Sequence, residues 1–400
     1  MQVKQMIDGH RFIISGMPIV ITKPHWTQRI APWFAGFDAW LLLAFGLLAS
    51  LGMVTMYSVG YDYGNRVFDH GRNLVVALVV MLVFSQIPPH RLRMVAVPLY
   101  VVGVVLLIGV ALFGLSRNGS QRWLNIGVTI QPSELLKIAM PIMLAWWFQR
   151  REGQMRPLDF GVATLLLLIP LALILKQPDL GTALLVLASG LFVIFFAGLR
   201  WRWVIPPLIL ATIGIIVLII MGDAWCQEGV NWMVLRDYQK QRVCTLLDPF
   251  QDPLGKGFHI IQGMIAIGSG GITGKGFMQG TQTHLEFIPE RTTDFIFAAF
   301  SEEFGLLGVL ALLLIFCFLI GRGLWIAARA PTMFSRVLAG AMAMNFFVYA
   351  FVNMGMVSGI LPVVGVPLPF VSYGGTAMAT LGIALGILLS ISRYDQLMKS

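Results

Sequence analysis

Long apolar runs separated by short polar loops dominate the chain. Ten runs are read as membrane-crossing helices, because a helix needs about 20 apolar residues to span a bilayer. They cover residues 40–57, 73–87, 95–115, 135–148, 160–175, 181–199, 204–221, 295–320, 337–360 and 377–391. The pattern predicts an all-α polytopic membrane protein with about ten transmembrane helices and a large outer loop between helices 7 and 8.

Composition supports this class. Hydrophobic residues make up 57% of the 400 residues and charged residues only 12%, whereas soluble domains carry about 25% charged residues. The formal net charge of +9 does not indicate nucleic acid as a partner, because the basic residues are scattered over short loops. Scattered basic residues in loops are typical of signals that orient a membrane protein.

The distribution of Lys and Arg predicts which side each loop faces. With the N-terminus in the cytoplasm, 16 basic residues fall inside and only 5 on short outer loops, namely Arg66, Arg72, Arg117, Arg122 and Lys176. Basic loops stay in the cytoplasm. The predicted order is a cytoplasmic N-terminal extension (1–36), transmembrane helices 1–7 (37–222), a large outer loop (223–293), transmembrane helices 8–10 (294–392) and a cytoplasmic tail (393–400).

Acidic residues stand at the start of the eighth apolar run and within it, in "PERTTDFIFAAFSEEFGLLG" (289–308). An ionisable residue in a membrane segment marks a functional site by default, because its burial is costly. The sequence predicts a helix of about 40 Å that begins at Asp294 and is capped by Thr292 or Thr293. The positive end of the helix dipole would keep Asp294 ionised as a general base.

A plainer interpretation of these acids stays open. Asp294 would complete a helix cap and pair with Arg291, while Glu302 and Glu303 would pair with buried Lys or Arg side chains. Capping residues of this kind are common at helix starts.

Two further polar stretches lie on the outer side. "SRNGSQRWLNIG" brings Arg117, Arg122 and Trp123 into a Gly- and Asn-containing turn, where an arginine fork suits phosphate and Trp suits a sugar face. An interfacial Trp with loop arginines is the alternative. In "QPSELLK", Glu134 and Lys137 are helical neighbours that we expect to neutralise each other.

The remaining outer stretches are weaker signals. Asp179 in "KQPDLGT" stands on a short turn, and this turn chemistry is common. "PLPFVSYGGTA" carries Ser372, Tyr373 and Gly374 into the last helix, which is typical either of a broken entry lining a cavity or of close helix packing by small residues. The apolar positions within 255–279 predict an amphipathic segment on the membrane surface.

Two of the three cysteines, Cys226 and Cys244, fall in the large outer loop. We expect them to form a disulfide if that loop faces an oxidising compartment. The histidines do not show the spacing of a metal site, because His259 and His284 are isolated from each other and from other ligands.

Together these stretches resemble the bacterial shape, elongation, division and sporulation (SEDS) family over most of residues 38–392. The resemblance rests on "QRWLNIG", "QPSELLKIA", "QPDLGTALL", "DPLGKGFHIIQGMIAIGSGGITGKG", "LEFIPERTTDFIFAAFSEEFGLLG" and "PVVGVPLPFVSYGGT". The chain resembles elongation members, since Val364 stands where division members usually carry lysine. Residues 1–36 match no motif, and 224–234 look like an insertion.

The resemblance implies a glycosyltransferase that polymerises lipid II into β-1,4 glycan strands at the outer face of the bacterial cytoplasmic membrane during elongation. It implies that Asp294 is the general base of an inverting displacement. It gives functional weight to Arg122, Trp123, Glu134, Asp179, Glu286, Glu290, Ser372, Tyr373 and Gly374. Arg117, Arg122 and Lys176 are expected to neutralise the departing diphosphate.

The resemblance also implies partners. They are lipid II, undecaprenyl-diphosphate-linked glycan, a class B penicillin-binding protein with a single membrane pass, and membrane proteins of the elongation complex. A divalent cation, Mg²⁺ or Mn²⁺, is compatible with diphosphate departure, but the sequence does not decide whether one is used. The alternatives are a lipid II flippase or transporter, which should carry charges along a path to the inner face, and a non-catalytic scaffold.

Overall fold

Ten long helices coincide with the ten apolar runs. The structure is a computed structural model that describes residues 11–14, 17–20, 36–117, 120–125, 129–227, 230, 237–255 and 257–399. The long helices are α1 (Ala39–Val59), α2 (Arg66–Ser85), α3 (Pro89–Phe113), α4 (Pro132–Arg150), α5 (Pro157–Lys176), α6 (Leu180–Phe196), α7 (Trp201–Trp225), α11 (Ile296–Arg329), α12 (Met333–Val357) and α13 (Gly375–Lys399).

Eight of these ten helices are long and apolar enough to span a membrane by length and composition. The other two are α4 and α6. Helix α6 has only 17 residues, and α4 carries Glu134 and Lys137 in its first turns. Both lie inside the bundle, where α4 packs against α3 and α6 packs against α12. Polar residues in α4 are therefore shielded from lipid by protein.

The bundle is built around α12 and α13. In each of these helices 78% of the apolar window is buried inside the protein. Helix α12 contacts α4, α6 and α11, and α13 packs along α2. Helix α7 is the opposite case, because none of its apolar window is buried. It therefore stands beside the bundle and not within it.

The large loop between α7 and α11 is folded. It contains α8 (Asp237–Leu247), a 3₁₀ turn (Pro249–Gln251), α9 (Phe258–Gly270) and α10 (Thr281–His284). A disulfide between Cys226 and Cys244 joins the end of α7 to α8, as predicted. The segment predicted to lie on the membrane surface packs partly on protein, because α9 buries Ile260 and Ala266 and contacts α11.

Two small antiparallel sheets accompany the helices. Strands β1 (Arg11–Ile14) and β2 (Met17–Val20) pair in the N-terminal extension. Strands β3 (Leu115–Arg117), β4 (Ser120–Asn125) and β5 (Thr129–Ile130) form the second sheet between α3 and α4. Arg122 and Trp123, predicted to lie in a Gly- and Asn-containing turn, lie on β4, whose backbone pairs with β3 on one side and β5 on the other. Asn118 and Gly119 of that turn lie outside the described residues.

The predicted start of the eighth helix was also wrong. Helix α11 begins at Ile296, its first-turn cap is Phe295, and neither Thr292 nor Thr293 caps it. Instead, the Thr293 hydroxyl donates to the Glu290 carboxylate at 2.6 Å, and the Phe295 N–H donates to the Glu290 carbonyl. Asp294 consequently stands on a turn before the helix.

Helix α11 is not continuous either. Gly305 has a φ of +61°, a left-handed conformation that glycine adopts without a steric cost. The backbone on both sides of Gly305 pairs with the loop segment 271–276: Lys275 N–H donates to the Glu302 carbonyl and Leu306 N–H donates to the Gly271 carbonyl. A Cβ at Gly305 would lie 2.2 Å from the backbone nitrogen of Gly274. The break therefore depends on glycine.

Candidate functional site

The predicted site residues gather at one end of the bundle. Helices α4, α6, α11 and α13 all begin there, because short connections make successive helices run in opposite directions. Glu134 lies in the first turn of α4, Asp179 caps α6, Asp294 precedes α11, and Tyr373 precedes α13. This end of the bundle is called the polar end below.

Asp294 lies on a turn that its own backbone anchors. The side-chain amide of Asn353 on α12 donates to the Asp294 carbonyl at 3.0 Å and to the Val366 carbonyl at 2.8 Å. A Cβ at Gly365 would lie 3.3 Å from the Asp294 carboxylate, so this glycine leaves room for the side chain. Within the described residues, no hydrogen-bond donor reaches the Asp294 carboxylate.

The surroundings of Asp294 raise the pKa of its carboxyl above the ordinary value in water. Burial raises the pKa of the carboxyl, the negative charge of Glu290 raises it further, and the positive charge of Arg242 opposes both, so that the pKa is about 6. Such a group is mostly ionised at neutral pH and remains basic enough to accept a proton.

The segment 362–365 links three elements at the polar end. Arg242 of α8 donates to the Val363 carbonyl. A Cβ at Gly181, in the first turn of α6, would lie 2.5 Å from the Val364 carbonyl oxygen. Because Gly365 faces Asp294, this segment holds α8 and the start of α6 beside the Asp294 turn. The segment is called the PVVG strip below.

Asp179 organises a second polar cluster. Its carboxylate caps α6 by accepting from the Thr182 N–H at 3.1 Å and also accepts from the Gln131 amide at 3.1 Å. Arg122 lies 3.7 Å from the same carboxylate and donates to the Pro178 carbonyl at 2.7 Å. Its Nε is buried and has no hydrogen-bond partner within the described residues.

Glu134 and Lys137 form the predicted internal pair, with 2.6 Å between the Lys137 Nζ and a Glu134 carboxylate oxygen. Thr380 of α13 donates to the other oxygen at 3.2 Å. Lys137 also lies over the Tyr349 ring, 5.5 Å from its centroid. This pair therefore joins α4, α12 and α13 under the polar end.

An apolar cavity of about 670 Å³ opens between α2, α3, α4 and α13. Gln131, Glu134 and Thr380 line it near the polar end, and Arg91 lines it at the start of α3. Between them the lining is aliphatic and aromatic. Asp294 does not line the cavity, but Gln131 contacts both the cavity and Asp179, so the cavity meets the polar end there.

Arg291 does not pair with Asp294, which contradicts one of the two interpretations above. It is buried and pairs with Asp62 in the connection between α1 and α2. Burial alone would raise the pKa of Asp62, but the hydrogen bond and charge of Arg291 bring it below its ordinary value. Tyr63 also donates to the Pro289 carbonyl at 3.1 Å. These contacts fix the chain just before Asp294.

Glu302 and Glu303 differ in their partners. Glu302 is fully buried and accepts from Lys275 at 2.6 Å, from the Thr281 hydroxyl at 3.0 Å and from the Gln282 N–H at 3.0 Å. The expected pairing with a Lys or Arg is thus confirmed for Glu302. It is wrong for Glu303, which accepts from the Ser58 hydroxyl of α1. Neither acid shares a helix with Asp294, because Asp294 precedes the first residue of α11.

The other predicted residues divide between the site and its surroundings. The Tyr373 N–H donates to the Thr292 carbonyl at 2.8 Å, and Ser372 accepts from the Leu368 N–H, which shapes the turn before α13. Gly374 follows in that turn. Glu290 is exposed beside the Asp294 turn, and Glu286 is exposed in the loop before it, near Asp62. Trp123 lies opposite Leu115 in the sheet, and Lys176 ends α5. For Arg117 only the position on β3 is described.

Sequence reasoning missed three residues of the site: Gln131, Arg242 and Asn353. Gln131 lies in one of the motifs that carry the family resemblance, and Arg242 lies near another. An amide or a single arginine in a loop, however, does not by itself indicate a functional site. Asn353 is a buried amide in an apolar helix, which is the one signal that could have singled it out.

For the divalent cation, the described residues hold no group of three or more His, Cys, Asp or Glu side chains arranged to bind a metal.

Curated relatives match most of the chain. The chain is 47% identical over 359 residues to peptidoglycan glycosyltransferase MrdB of Escherichia coli K12, covering 90% of this chain and 94% of that protein. It is 32% identical over 383 residues to stage V sporulation protein E of Bacillus subtilis, covering 92% and 99% of the two chains.

Solved structures agree as well. A peptidoglycan synthase complex, described as coordinating polymerization and crosslinking, contains a chain with a TM-score of 0.72 and 31% identity, covering 90% of this chain and 99% of that one. The rod shape determining protein RodA of Thermus thermophilus gives a TM-score of 0.65 and 26% identity, with coverage of 90% and 98%. The model of the cell cycle protein family FtsW, RodA and SpoVE matches residues 37–397, and the chain belongs to this family.

Proposed function

We propose that the protein is a peptidoglycan glycosyltransferase that polymerises lipid II into β-1,4 glycan strands during cell elongation. The observation that carries the proposal is the Asp294 carboxylate, which has a pKa of about 6 and no donor among the described residues. It lies at the polar end near the Arg242 guanidinium, and an apolar cavity meets the same end at Gln131. The relative MrdB, 47% identical, is named a peptidoglycan glycosyltransferase.

The chemistry assigned to the polar end is one displacement. A sugar hydroxyl of the acceptor attacks the anomeric carbon of the donor, and the bond from that carbon to the lipid diphosphate breaks. Asp294 takes the hydroxyl proton as general base, and undecaprenyl diphosphate leaves with the bonding electrons. A single displacement inverts the anomeric configuration. Arg122 stabilises the negative charge on the leaving group.

The apolar cavity supports a substrate with a long lipid chain. Its volume of about 670 Å³ lies within the range of small-molecule sites, about 300–1,000 Å³, and holds part of a polyprenyl chain. Its polar rim at Gln131 and Glu134 would place a diphosphate near Asp179 and Arg122. The sugar would then project toward Asp294.

In the proposed orientation, both termini lie in the cytoplasm and the polar end faces the periplasm. The disulfide between Cys226 and Cys244 supports it, because disulfides persist in oxidising compartments. A class B penicillin-binding protein with one membrane pass is the proposed partner, in keeping with the similarity to a peptidoglycan synthase complex.

Purified protein with lipid II, with and without the transpeptidase partner, tests the proposal. We expect glycan chains from the native protein and none from Asp294→Ala, although that variant should still bind lipid II. Asp69→Ala, a half-buried acid in the first turn of α2 that pairs with exposed Arg72, is the control and should polymerise normally. Transfer of lipid II across vesicles without polymer would favour a flippase, and polymer from Asp294→Ala at the native rate would remove Asp294 as the base.

A further inference from the structure

Arg242 is a guanidinium at the polar end with little to neutralise it. It lies on α8, is partly buried and donates one hydrogen bond, to the Val363 carbonyl of the PVVG strip. No carboxylate within the described residues lies in ion-pair contact with it. Arginine has five N–H donors in a fork that matches phosphate oxygens, and among the described residues the Arg242 fork makes a single hydrogen bond.

The position of Arg242 follows from backbone contacts. The strip that accepts its hydrogen bond also faces the Asp294 carboxylate through Gly365 and the start of α6 through Gly181. The guanidinium therefore lies beside a segment that contacts both the proposed base and the start of α6. Electrostatics agree: burial lowers the pKa of Arg242, the charge of Arg122 lowers it further, and Asp179 and Asp294 raise it.

Arg122 and Arg242 thus repel each other across the polar end. Arg122 also keeps its buried Nε without a partner among the described residues. Two guanidinium groups close enough to repel, each with unused donors, form a site that an anion with two charged groups would stabilise. A diphosphate has this form.

We propose that Arg242 and Arg122 together bind the diphosphate of the lipid-linked substrate, and that the disulfide between Cys226 and Cys244 holds Arg242 in the cleft. This inference rests on the proposed function. Cys244 follows Arg242 by two residues on α8, and Cys226 caps the end of α7. The covalent link fixes α8 to the end of α7, which otherwise contacts α8 through packing such as Gly222 against Leu247.

Binding of undecaprenyl diphosphate and undecaprenyl monophosphate to the purified full chain tests the role of Arg242. Arg242→Gln should weaken diphosphate binding about tenfold or more, because a charged hydrogen-bond donor is lost. The ratio of the affinities for undecaprenyl diphosphate and undecaprenyl monophosphate should also fall. Arg242→Lys should recover part of the affinity. Two controls should bind normally: Gln241→Ala, exposed on the same helix, and Arg202→Gln, an exposed charge on α7.

Diphosphate binding by Arg242→Gln within twofold of native, with an unchanged thermal midpoint, would overturn the inference. Equal displacement by phosphatidylglycerol vesicles would also overturn it, by making Arg242 a general headgroup contact. Because binding is measured without turnover, a native protein that binds diphosphate lipid but makes no polymer would reject the proposed function and leave the role of Arg242 supported.

The disulfide is tested in the same assay. Replacing both cysteines by serine should weaken diphosphate binding in the native background and should add nothing once Arg242 is glutamine, because the two changes act through one guanidinium. An equal loss of affinity in both backgrounds would overturn the anchoring role of the disulfide.

Discussion

At the scale of single residues, Asp294 and Glu302 lie close together in the sequence but have opposite surroundings. Glu302 is fully buried and surrounded by donors from Lys275, Thr281 and Gln282. Asp294 has no donor at its carboxylate among the described residues and a raised pKa. A satisfied acid stabilises structure, whereas an unsatisfied one holds a proton that it can exchange. This contrast separates the two roles better than position in the sequence does.

Asp294→Asn should stabilise the folded protein at pH 8. The folded pKa of about 6 exceeds the ordinary value of 3.8, so folding opposes ionisation of this group. The destabilisation is complete above pH 6 and absent below about pH 4, where the carboxyl is protonated in both states. The shift corresponds to at most about 3 kcal/mol; because the group is partly exposed, we expect about 1 kcal/mol.

Thermal midpoints in detergent at pH 8 and pH 4 measure this difference. Glu152→Gln, an exposed acid in the connection between α4 and α5, is the control and should change neither midpoint. A stabilisation by Asp294→Asn of equal size at both pH values would contradict the raised pKa.

Gly181→Ala should disrupt the polar end. Its Cβ would lie 2.5 Å from the Val364 carbonyl oxygen, a backbone atom that cannot rotate away. We expect a loss of about 2 kcal/mol and a lower rate of polymerisation, because the PVVG strip must move away from Asp294. Gly46→Ala in α1 is the matched control, since nothing lies within 4 Å of its Cβ, and it should be neutral or stabilising. Equal stability of the two variants would contradict this expectation, because it would show that the PVVG strip moves without a cost in stability.

At the scale of elements, the break in α11 explains why the loop before it is ordered. The segment 271–276 takes the place of a helical turn, with Gly276 N–H donating to the Glu303 carbonyl and Leu307 N–H to the Ile272 carbonyl. Glu302 then reaches from the helix to Lys275 and to the start of α10. The first part of α11 and the loop are therefore one structural unit.

Glu302→Ala should release that unit. It removes the acceptor of four donors, from Lys275, Thr281, Gln282 and Thr283, in a fully buried position, which costs about 3 kcal/mol. Hydrogen exchange of the amides of 271–276 should become faster and the thermal midpoint should fall. Glu303→Gln, which can still accept from Ser58, is the control and should leave exchange in 271–276 slow. Loss of activity by Glu302→Ala with unchanged exchange would instead point to a role in the chemistry.

The sequence predicted the ten helices because each is a long apolar run, and it predicted the Glu134–Lys137 pair because helical neighbours are local. It could not predict the break at Gly305 or the sheet around Trp123, because both depend on backbone pairing with distant segments. It placed the start of α11 two residues early, since the Asn353 contact that holds the Asp294 turn lies on another helix. Arg242 was missed for the same reason.

At the scale of the whole molecule, the polar residues of the site occupy one end of the bundle and few reach into it. Below Glu134 and Lys137, the cavity lining is apolar until Arg91. A flippase would need polar side chains along a path through the membrane. The distribution of charge therefore favours chemistry at one face.

The orientation is tested by labelling single cysteines with a maleimide that cannot cross membranes. In a chain with Cys317→Ala, Leu254→Cys in the large loop should react in intact spheroplasts, because it is 89% exposed. Gln154→Cys, exposed between α4 and α5, should react only after lysis. The reverse pattern would place the polar end in the cytoplasm and reject the proposed function.

The charges along helix α11 also indicate where the hydrocarbon core of the membrane begins. Between Glu303 and Arg322 it carries no charge, and at 1.5 Å per residue the stretch from Phe304 to Gly321 measures about 27 Å, close to the hydrocarbon thickness of about 30 Å. Glu302 and Glu303 therefore mark the edge of the hydrocarbon core. Asp294 precedes Glu302 by eight positions and lies before the first residue of α11, outside the uncharged stretch, so a tethered sugar reaches the carboxylate without its phosphates entering the hydrocarbon.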